Sequence, residues 1–279
     1  MRLAIILTFI FESFIVSGQT LPQTYEFAEA LYSQKSHQSA VEAYKRILFF
    51  DSTSQYSKAI YPKIANSLFE TGKYQEASDY YDLAFFSEEN DSLKTYFMLK
   101  KASSNLILRQ YDYAQIELLN LPDSLSENFK IQKNFLESIL FFAKGEFENS
   151  KDNFNKIIPD QGKVETIFKK NKKIDKISPK KAKIMSMIIP GLGQLYAGDI
   201  KNGLNSLILT GGLFALGINS AINNGFLDAA ISVLPWFQRY YQGGFNKAEI
   251  ITKAKIDKKR FQIFNQLLDE VNKTGFKPI

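Results

Sequence analysis

Few side chains of this 279-residue chain combine into a recognisable catalytic or metal-binding set. The chain has no cysteine, which excludes disulfides, thiolate nucleophiles, iron–sulfur clusters and cysteine-based zinc sites. Its single histidine, His37, rules out two-histidine chemistry and histidine-rich metal sites, and is expected to be a packing residue. No recognisable pair of carboxylates or phosphate loop is found, and the lone Gly191-Leu192-Gly193 is not a dinucleotide fingerprint. The sequence therefore predicts a protein that is not an enzyme and that uses no metal or other cofactor.

The residues with the clearest chemical character are lysines, clustered in residues 163–183. This segment has nine lysines against two carboxylates, so the rest of the chain is about neutral although the overall formal charge is +6. An apolar segment follows, which favours anionic lipid as the partner of the lysines. Nucleic acid is not expected, because aromatic residues other than Phe168 do not interleave with the lysines. The predicted lipid contacts are Lys169, Lys170, Lys172, Lys173, Lys180 and Lys181.

The apolar segment covers residues 184–237, where the only charged residues are Asp199, Lys201 and Asp228. Residues 204–222 are uncharged and just long enough to cross about 30 Å of hydrocarbon, whereas the piece at residues 226–237 is shorter. The sequence predicts a membrane helical hairpin; the alternative is a soluble apolar helix pair folded against the rest of the chain. Trp236, Arg239, Tyr240 and Tyr241 are the predicted interfacial anchors.

A glycine-rich motif opens this segment. It consists of Pro190, Gly191, Gly193, Gln194, Tyr196, Gly198 and Gly203. The motif resembles one that recurs in small bacterial two-helix membrane domains. Residues 239–248 resemble that family's closing segment, an aromatic and glycine turn followed by a helix. The resemblance implies architecture and a membrane location, and no activity. Glycines permit close helix approach or a turn, and Gln194 and Asn205 are suited to satisfy backbone groups freed nearby.

An internal repeat occupies the first half of the chain. Small residues recur at Ala40, Ala77, Ala114 and Ser150, at intervals of 37, 37 and 36 residues, and aromatic or large residues follow them at Tyr44, Tyr81, Leu118 and Phe154. A second small set, Ala28, Ala65, Ala102 and Ser138, precedes each of these pairs. Gly72 and Gly145 are placed to end the first helix of a unit, where a left-handed cap favours glycine.

This spacing resembles the tetratricopeptide repeat, a helical hairpin with alternating small and aromatic positions. The resemblance covers about residues 24–158; residues 59–86 match best, and the other units lack the repeat-ending proline. It implies a solenoid that binds a protein or peptide partner. The small and aromatic residues themselves are expected to be core and not ligand contacts.

The two ends of the chain carry further signals. Residues 1–18 combine a positive start, an apolar stretch and small residues before a polar segment, which predicts a secretory signal peptide; an uncleaved anchor is the alternative. Residues 248–279 predict an amphipathic helix that docks on a partner or lies on the membrane. Its apolar face is formed by Phe261, Phe264, Leu267, Leu268 and Val271.

The predicted fold is all-α, with a signal peptide (1–18), a tetratricopeptide-like solenoid (19–160), a basic linker (161–183), a membrane hairpin (184–247) and the amphipathic helix (248–279). We expect an exported envelope scaffold whose solenoid binds a protein or peptide and whose hairpin holds it to membrane lipid. The alternative is a component of a membrane assembly or transport complex whose hairpin forms homo-oligomers. Export places the solenoid on the periplasmic side, whereas lysines on both sides of the hairpin favour the cytoplasm.

Overall fold

The computed structural model describes residues 19–279, and 80% of these residues are helical with none in a strand. The predicted signal peptide lies outside the described residues. The chain forms two compact units. Unit 1 contains the described residues up to Ile157 together with Lys277–Ile279, and unit 2 is Ile158–Phe276.

Unit 1 is a series of helices that pack mainly on their neighbours in sequence. They are α1 (Leu21–Ser33), α2 (His37–Phe50), α3 (Ser57–Glu70), α4 (Tyr74–Ser87), α5 (Asp91–Ile107), α6 (Tyr111–Leu119), α7 (Glu127–Lys144) and α8 (Phe147–Asn155). Side chains cap several of them: Thr20 and Gln23 form a capping box at α1, and Asn90 accepts a hydrogen bond from the Leu93 N–H at α5.

The core of unit 1 is built from the repeated small and large residues. All twelve repeat positions identified from the sequence are at most 1% exposed: Ala28, Ala65, Ala102 and Ser138, then Ala40, Ala77, Ala114 and Ser150, then Tyr44, Tyr81, Leu118 and Phe154. Small side chains let paired helices approach closely, and the larger ones fill the remaining space. The periodicity of the sequence therefore coincides with the periodicity of the core.

Polar contacts repeat with the same period. The Tyr44 hydroxyl donates a hydrogen bond to the Glu29 carboxylate at 2.7 Å, and the Tyr81 hydroxyl donates to Asn66 Oδ1 at 2.9 Å. Both tyrosine rings are fully buried while their hydroxyls find an acceptor on the preceding helix. Burial, and after it the hydrogen bond to Glu29, raises the pKa of Tyr44 well above its usual range, so the hydroxyl stays protonated.

Unit 2 is also helical in all its regular structure. Its helices are α9 (Gln161–Ile174), α10 (Pro179–Ile188), α11 (Leu192–Tyr196), α12 (Ile200–Asn223), α13 (Phe226–Ser232) and α14 (Leu234–Lys273). The long helix α14 packs against each of the other five. It therefore organises the unit.

The segment expected to be a basic linker forms α9 and the first part of α10. Val164, Ile167 and Phe168 are buried, and their spacing of three and one residues places them on one side of α9, where they face α14. The lysines occupy the exposed side. The high lysine content concealed this apolar stripe in the sequence.

The closing segment also differs from expectation. Gly243 and Gly244 were expected in a turn before the last helix, but both lie inside α14, which runs for 40 residues without interruption. A Cβ on Gly244 would lie 2.6 Å from Ser206 Oγ, so this glycine permits close packing of α12 on α14. The expected amphipathic helix is the second half of α14. Its buried face holds Ile263, Leu267 and Val271, whereas Phe261 is exposed.

Candidate functional site

The glycine-rich motif folds into the tight connection between α10, α11 and α12. Gly191 has a φ of +90°, and a Cβ there would collide with the carbonyl oxygen of Gly203. A Cβ on Gly193 would collide with the carbonyl oxygen of Ala182 in α10 and come within 2.6 Å of Ser186 Oγ. These glycines are therefore required by backbone conformation and by contact between helices. Pro190 lies just before Gly191, between α10 and α11.

Gln194 is fully buried and joins three helices of unit 2. Its Oε1 accepts a hydrogen bond from Ser186 Oγ at 2.8 Å, and Ser186 Oγ in turn accepts one from the Gly193 N–H at 2.8 Å. Its Nε2 donates to the Gly244 carbonyl oxygen at 2.8 Å. Every polar atom of this side chain has a partner, so Gln194 stabilises the connection and is not free to bind a ligand.

The rest of the motif fixes the start of α12. Gly198, with a φ of +80°, ends α11. Asp199 caps α12 by accepting a hydrogen bond from the Asn202 N–H at 3.0 Å. The Tyr196 hydroxyl accepts a hydrogen bond from the Ser178 N–H at 3.3 Å and donates to the Lys176 carbonyl at 3.4 Å.

Helix α12 is the one helix among residues 19–279 that is long and apolar enough to cross a membrane. It has 24 residues, a mean hydropathy of 1.4 and only 11% of its apolar window buried. Large side chains such as Ile208 and Leu216 point to the exterior. The second predicted apolar piece is divided between α13 and the first turn of α14. Unit 2 thus contains one span-length apolar helix that is mostly uncovered.

The four predicted anchors lie in the first turns of α14 and differ in their surroundings. Trp236, Arg239 and Tyr240 are exposed. Tyr241 instead stacks on Phe237, with ring centroids 5.6 Å apart, and its hydroxyl donates to the Met187 carbonyl oxygen at 2.7 Å. The side chains of three anchors are therefore open to contact with solvent or lipid, whereas Tyr241 has a packing role.

The six lysines predicted to contact lipid are all exposed, four on α9 and two on α10. Three have neighbours: Lys169 lies 3.9 Å from Glu165, Lys170 donates to Gln266, and Lys181 lies over the Tyr196 ring. Such contacts on exposed side chains are weak and leave the positive charge open to solvent. The remaining members are Lys172, Lys173 and Lys180.

A separate polar feature in unit 1 was missed in the sequence. Lys100 on α5 is 8% exposed, and its Nζ lies 4.3 Å from the centroid of the Phe69 ring. The equivalent lysine one repeat earlier, Lys63, forms an ion pair with Glu29, but the position equivalent to Glu29 in the next repeat is Asn66. Lys100 makes no ion pair within residues 19–279, and burial lowers its pKa. The sequence contained a signal for this feature: at an offset of 37 residues, Lys63 aligns with Lys100 and Glu29 aligns with Asn66.

Within residues 19–279 no three His, Asp or Glu side chains are placed to hold a metal ion. Comparison of the chain with protein-family models, with curated proteins and with solved structures finds no match. We therefore infer the function from the geometry within each unit.

Proposed function

We propose that this chain is a non-enzymatic scaffold held at a membrane. In this account unit 1 is a tetratricopeptide-like solenoid that binds a protein or peptide, and a hairpin made of α12, α13 and the start of α14 inserts into the bilayer. The observation that carries the proposal is the uncovered apolar surface of α12. A core helix of that hydropathy would be mostly buried, whereas only 11% of the apolar window of α12 is buried.

The repeat supports the proposal for unit 1. Left-handed residues occur at Lys35, Gly72, Arg109 and Gly145, so the turn between paired helices recurs every 36 or 37 residues. The buried small and large residues and the tyrosine hydrogen bonds keep the same period. Repetition of this kind is typical of solenoids, whose function is to present an extended surface to a partner.

The buried charge of Lys100 favours a partner with an acidic group. Glu70 acts on Lys100 electrostatically, but no carboxylate within residues 19–279 forms an ion pair with it. A nearly buried cation without an ion pair is unfavourable unless a ligand supplies the negative charge. The aromatic ring of Phe69 stabilises this cation in part. We expect a carboxylate side chain or carboxyl terminus of the partner to occupy the place that Glu29 takes beside Lys63.

The proposed location is the cell envelope, with unit 1 on the periplasmic side. The lysines of α9 and α10 then contact anionic headgroups from outside, which accounts for positive charge on both sides of the hairpin. Because the chain has no cysteine, a single Ile107→Cys variant reports the side directly. Labelling of intact cells by a thiol reagent that does not cross the inner membrane supports this side, and labelling only after lysis contradicts it.

Flotation with phospholipid vesicles tests the membrane half of the proposal. We expect the full chain to float with vesicles and the double variant Ile208→Lys, Leu216→Lys to lose at least about 50-fold in association, because a lysine at the centre of a spanning helix costs about 2.5–3.5 kcal/mol. The matched control is Ile107→Lys, Leu119→Lys, which changes two exposed apolar residues of unit 1. Equal flotation of all three proteins contradicts the proposal.

A second candidate is oligomerisation through α12, and one observation favours it. Gly211 and Gly212 face open space, and Ala215 lies four residues after Gly211, a spacing that lets membrane helices approach closely. A Gly211→Cys variant in vesicles tests it under oxidising conditions, with Ile107→Cys as the control. Disulfide-linked dimers confined to the Gly211→Cys protein support the oligomer, and equal amounts in both variants exclude it.

A further inference from the structure

A cavity of about 370 Å³ lies between α12 and α14, where Gln194 of the glycine-rich motif and Gly244 form part of its lining. Its walls carry two cationic side chains, Arg239 and Lys247, together with Asn205, Ser206 and Thr210. The cavity belongs to the part of unit 2 where apolar α12 begins.

Two hydroxyls in the cavity have no hydrogen-bond partner. Thr210 is 1% exposed, and its Oγ1 is buried without a hydrogen-bond partner. The Oγ of Ser206 is also buried without a hydrogen-bond partner. Buried hydroxyls are nearly always hydrogen-bonded in folded proteins, so each of these is a position where a ligand atom is expected. A helical threonine usually satisfies itself on the preceding turn, which Thr210 does not do.

The two cations are also without a fixed partner. Arg239 and Lys247 form no ion pair within residues 19–279. The carboxylate of Asp199 interacts electrostatically with Lys247, but both of its oxygens are already engaged by the N–H and the side-chain amide of Asn202. The cavity therefore offers positive charge and hydrogen-bond donors to an anion.

A second cavity of about 310 Å³ lies about one turn further along α12, towards the turn at Gly225, and we call the two cavities together the groove. It lies among α12, α13 and α14, and its lining is apolar throughout, with Phe214, Val233 and Phe237 as members. The ligand that matches both cavities has an anionic head and an alkyl tail. A free phosphate would match the first cavity only.

We propose that the groove binds one anionic phospholipid, with its phosphate at Arg239 and Lys247 and an acyl chain in the apolar cavity. This assignment rests on the proposed membrane tether and extends it from general insertion to recognition of a headgroup. Arginine suits the site because its planar guanidinium can donate two parallel hydrogen bonds to a phosphate. Asn205 and the hydroxyls of Ser206 and Thr210 supply further donors.

Vesicle flotation of the full chain at physiological ionic strength tests the assignment with two lipid compositions. One is neutral phosphatidylcholine, and the other contains phosphatidylglycerol. We expect association with both and a preference for the anionic vesicles. Arg239→Gln with Lys247→Gln should reduce that preference about 30-fold, since each cation near an anionic surface contributes about fivefold.

The matched control is Lys258→Gln with Lys259→Gln, which removes the same charge from exposed positions of α14. These lysines lie roughly 16 Å further along the helix from Lys247, beyond the screening length at this ionic strength. An equal loss of preference in both double variants assigns the effect to general surface charge and overturns the lipid site. Circular dichroism verifies that both variants are helical.

The remaining outcomes separate this assignment from the tether. If the wild-type chain binds neutral and anionic vesicles equally, the lipid site is overturned and the tether stands. If the chain binds neither, the tether fails and this assignment fails with it. Inorganic phosphate, compared with chloride at equal ionic strength, should not release the protein from anionic vesicles; release by phosphate alone would assign the cavity to the free anion.

Discussion

At the scale of single residues, the turns of unit 1 have the same backbone conformation although the residue type differs from turn to turn. Lys35, Gly72, Arg109 and Gly145 all have φ between 59° and 81°, and each follows the first helix of a repeat. Glycine adopts this conformation without strain, whereas other L-residues lose about 1–2 kcal/mol there. The packing of the helical hairpin therefore holds Lys35 and Arg109 in a backbone conformation that non-glycine residues disfavour.

Substitution of these two residues by glycine should stabilise unit 1. We expect Lys35→Gly and Arg109→Gly each to raise the free energy of unfolding by about 0.5–1 kcal/mol, because relief of strain exceeds the added backbone entropy of the unfolded chain. Urea unfolding followed by circular dichroism measures the change. Gly72→Ala is the reverse control and should destabilise. A lower urea midpoint for either glycine variant would show that the turn is not strained.

A second residue-scale prediction concerns Glu88, between α4 and α5. Its carboxylate accepts hydrogen bonds from the N–H groups of Asn90 and Glu89 and forms an ion pair with Lys58 at 3.0 Å. These interactions, with the Asn90 N–H first, lower the pKa of Glu88 from 4.5 to about 2. A lowered pKa means that the folded state favours the charged form. The stabilisation is therefore complete above pH 4.5 and is lost as the pH falls towards about 2.

Glu88→Gln should remove this dependence. The difference in stability between wild type and variant is expected to be constant above the ordinary glutamate pKa and to shrink as the pH falls through the acidic range. Urea midpoints measured at several pH values give the comparison. A difference that does not change with pH would mean that the Glu88 charge does not stabilise the fold.

The repeat positions of unit 1 could be predicted from the sequence, and Lys100 could not. Small and aromatic residues at a 37-residue interval identify the core because burial depends on residue size and position along a helix. Lys100 lacks an ion pair because the residue 34 positions earlier, Asn66, has an amide where Glu29 has a carboxylate. The 37-residue offset aligns these positions in the sequence, but only the structure shows that Lys63 pairs with Glu29 and that Lys100 is buried.

At the scale of the elements, α14 explains why the glycine-rich motif takes the form it does. The motif places α11 and α12 against α10 and α14, and Gly193 and Gly244 each lie at a point of close approach between two helices. The sequence indicated that the glycines allow close contact or a turn. For Gly243 and Gly244 the resemblance implied a turn, which was wrong, because both lie inside α14. A glycine inside a helix and a glycine in a turn look alike in the sequence without the partner helix.

Gly193→Ala tests the close approach. We expect a loss of about 1–3 kcal/mol or more in the stability of unit 2, because the new methyl group collides with the backbone carbonyl of Ala182, which cannot rotate away. Gly212→Ala is the matched control: it adds the same methyl group in open space and should be neutral or slightly stabilising. Thermal unfolding followed by circular dichroism in detergent distinguishes them. Equal melting temperatures would contradict the described packing.

At the scale of the whole molecule, the chain combines one unit with a repeated, well-buried core and another with an uncovered apolar helix. Composition alone suggested a membrane segment, since residues 204–222 carry no charge. The hairpin could be predicted only in outline: the return from α12 is made by the short α13 and by α14, whose polar second half packs on α9. Where the apolar region stops is determined by packing within unit 2.

The fluorescence of Trp236 tests the central claim, that the α12 region of unit 2 enters a lipid bilayer, most directly. Trp236 is the only tryptophan of the chain, and its side chain is 51% exposed near the start of α14. On addition of vesicles to the full chain, we expect the tryptophan emission to shift to shorter wavelength and to be quenched by lipids brominated on the acyl chain. An unchanged and unquenched spectrum, from a protein that stays monodisperse in buffer, would show that the α12 region does not enter the bilayer.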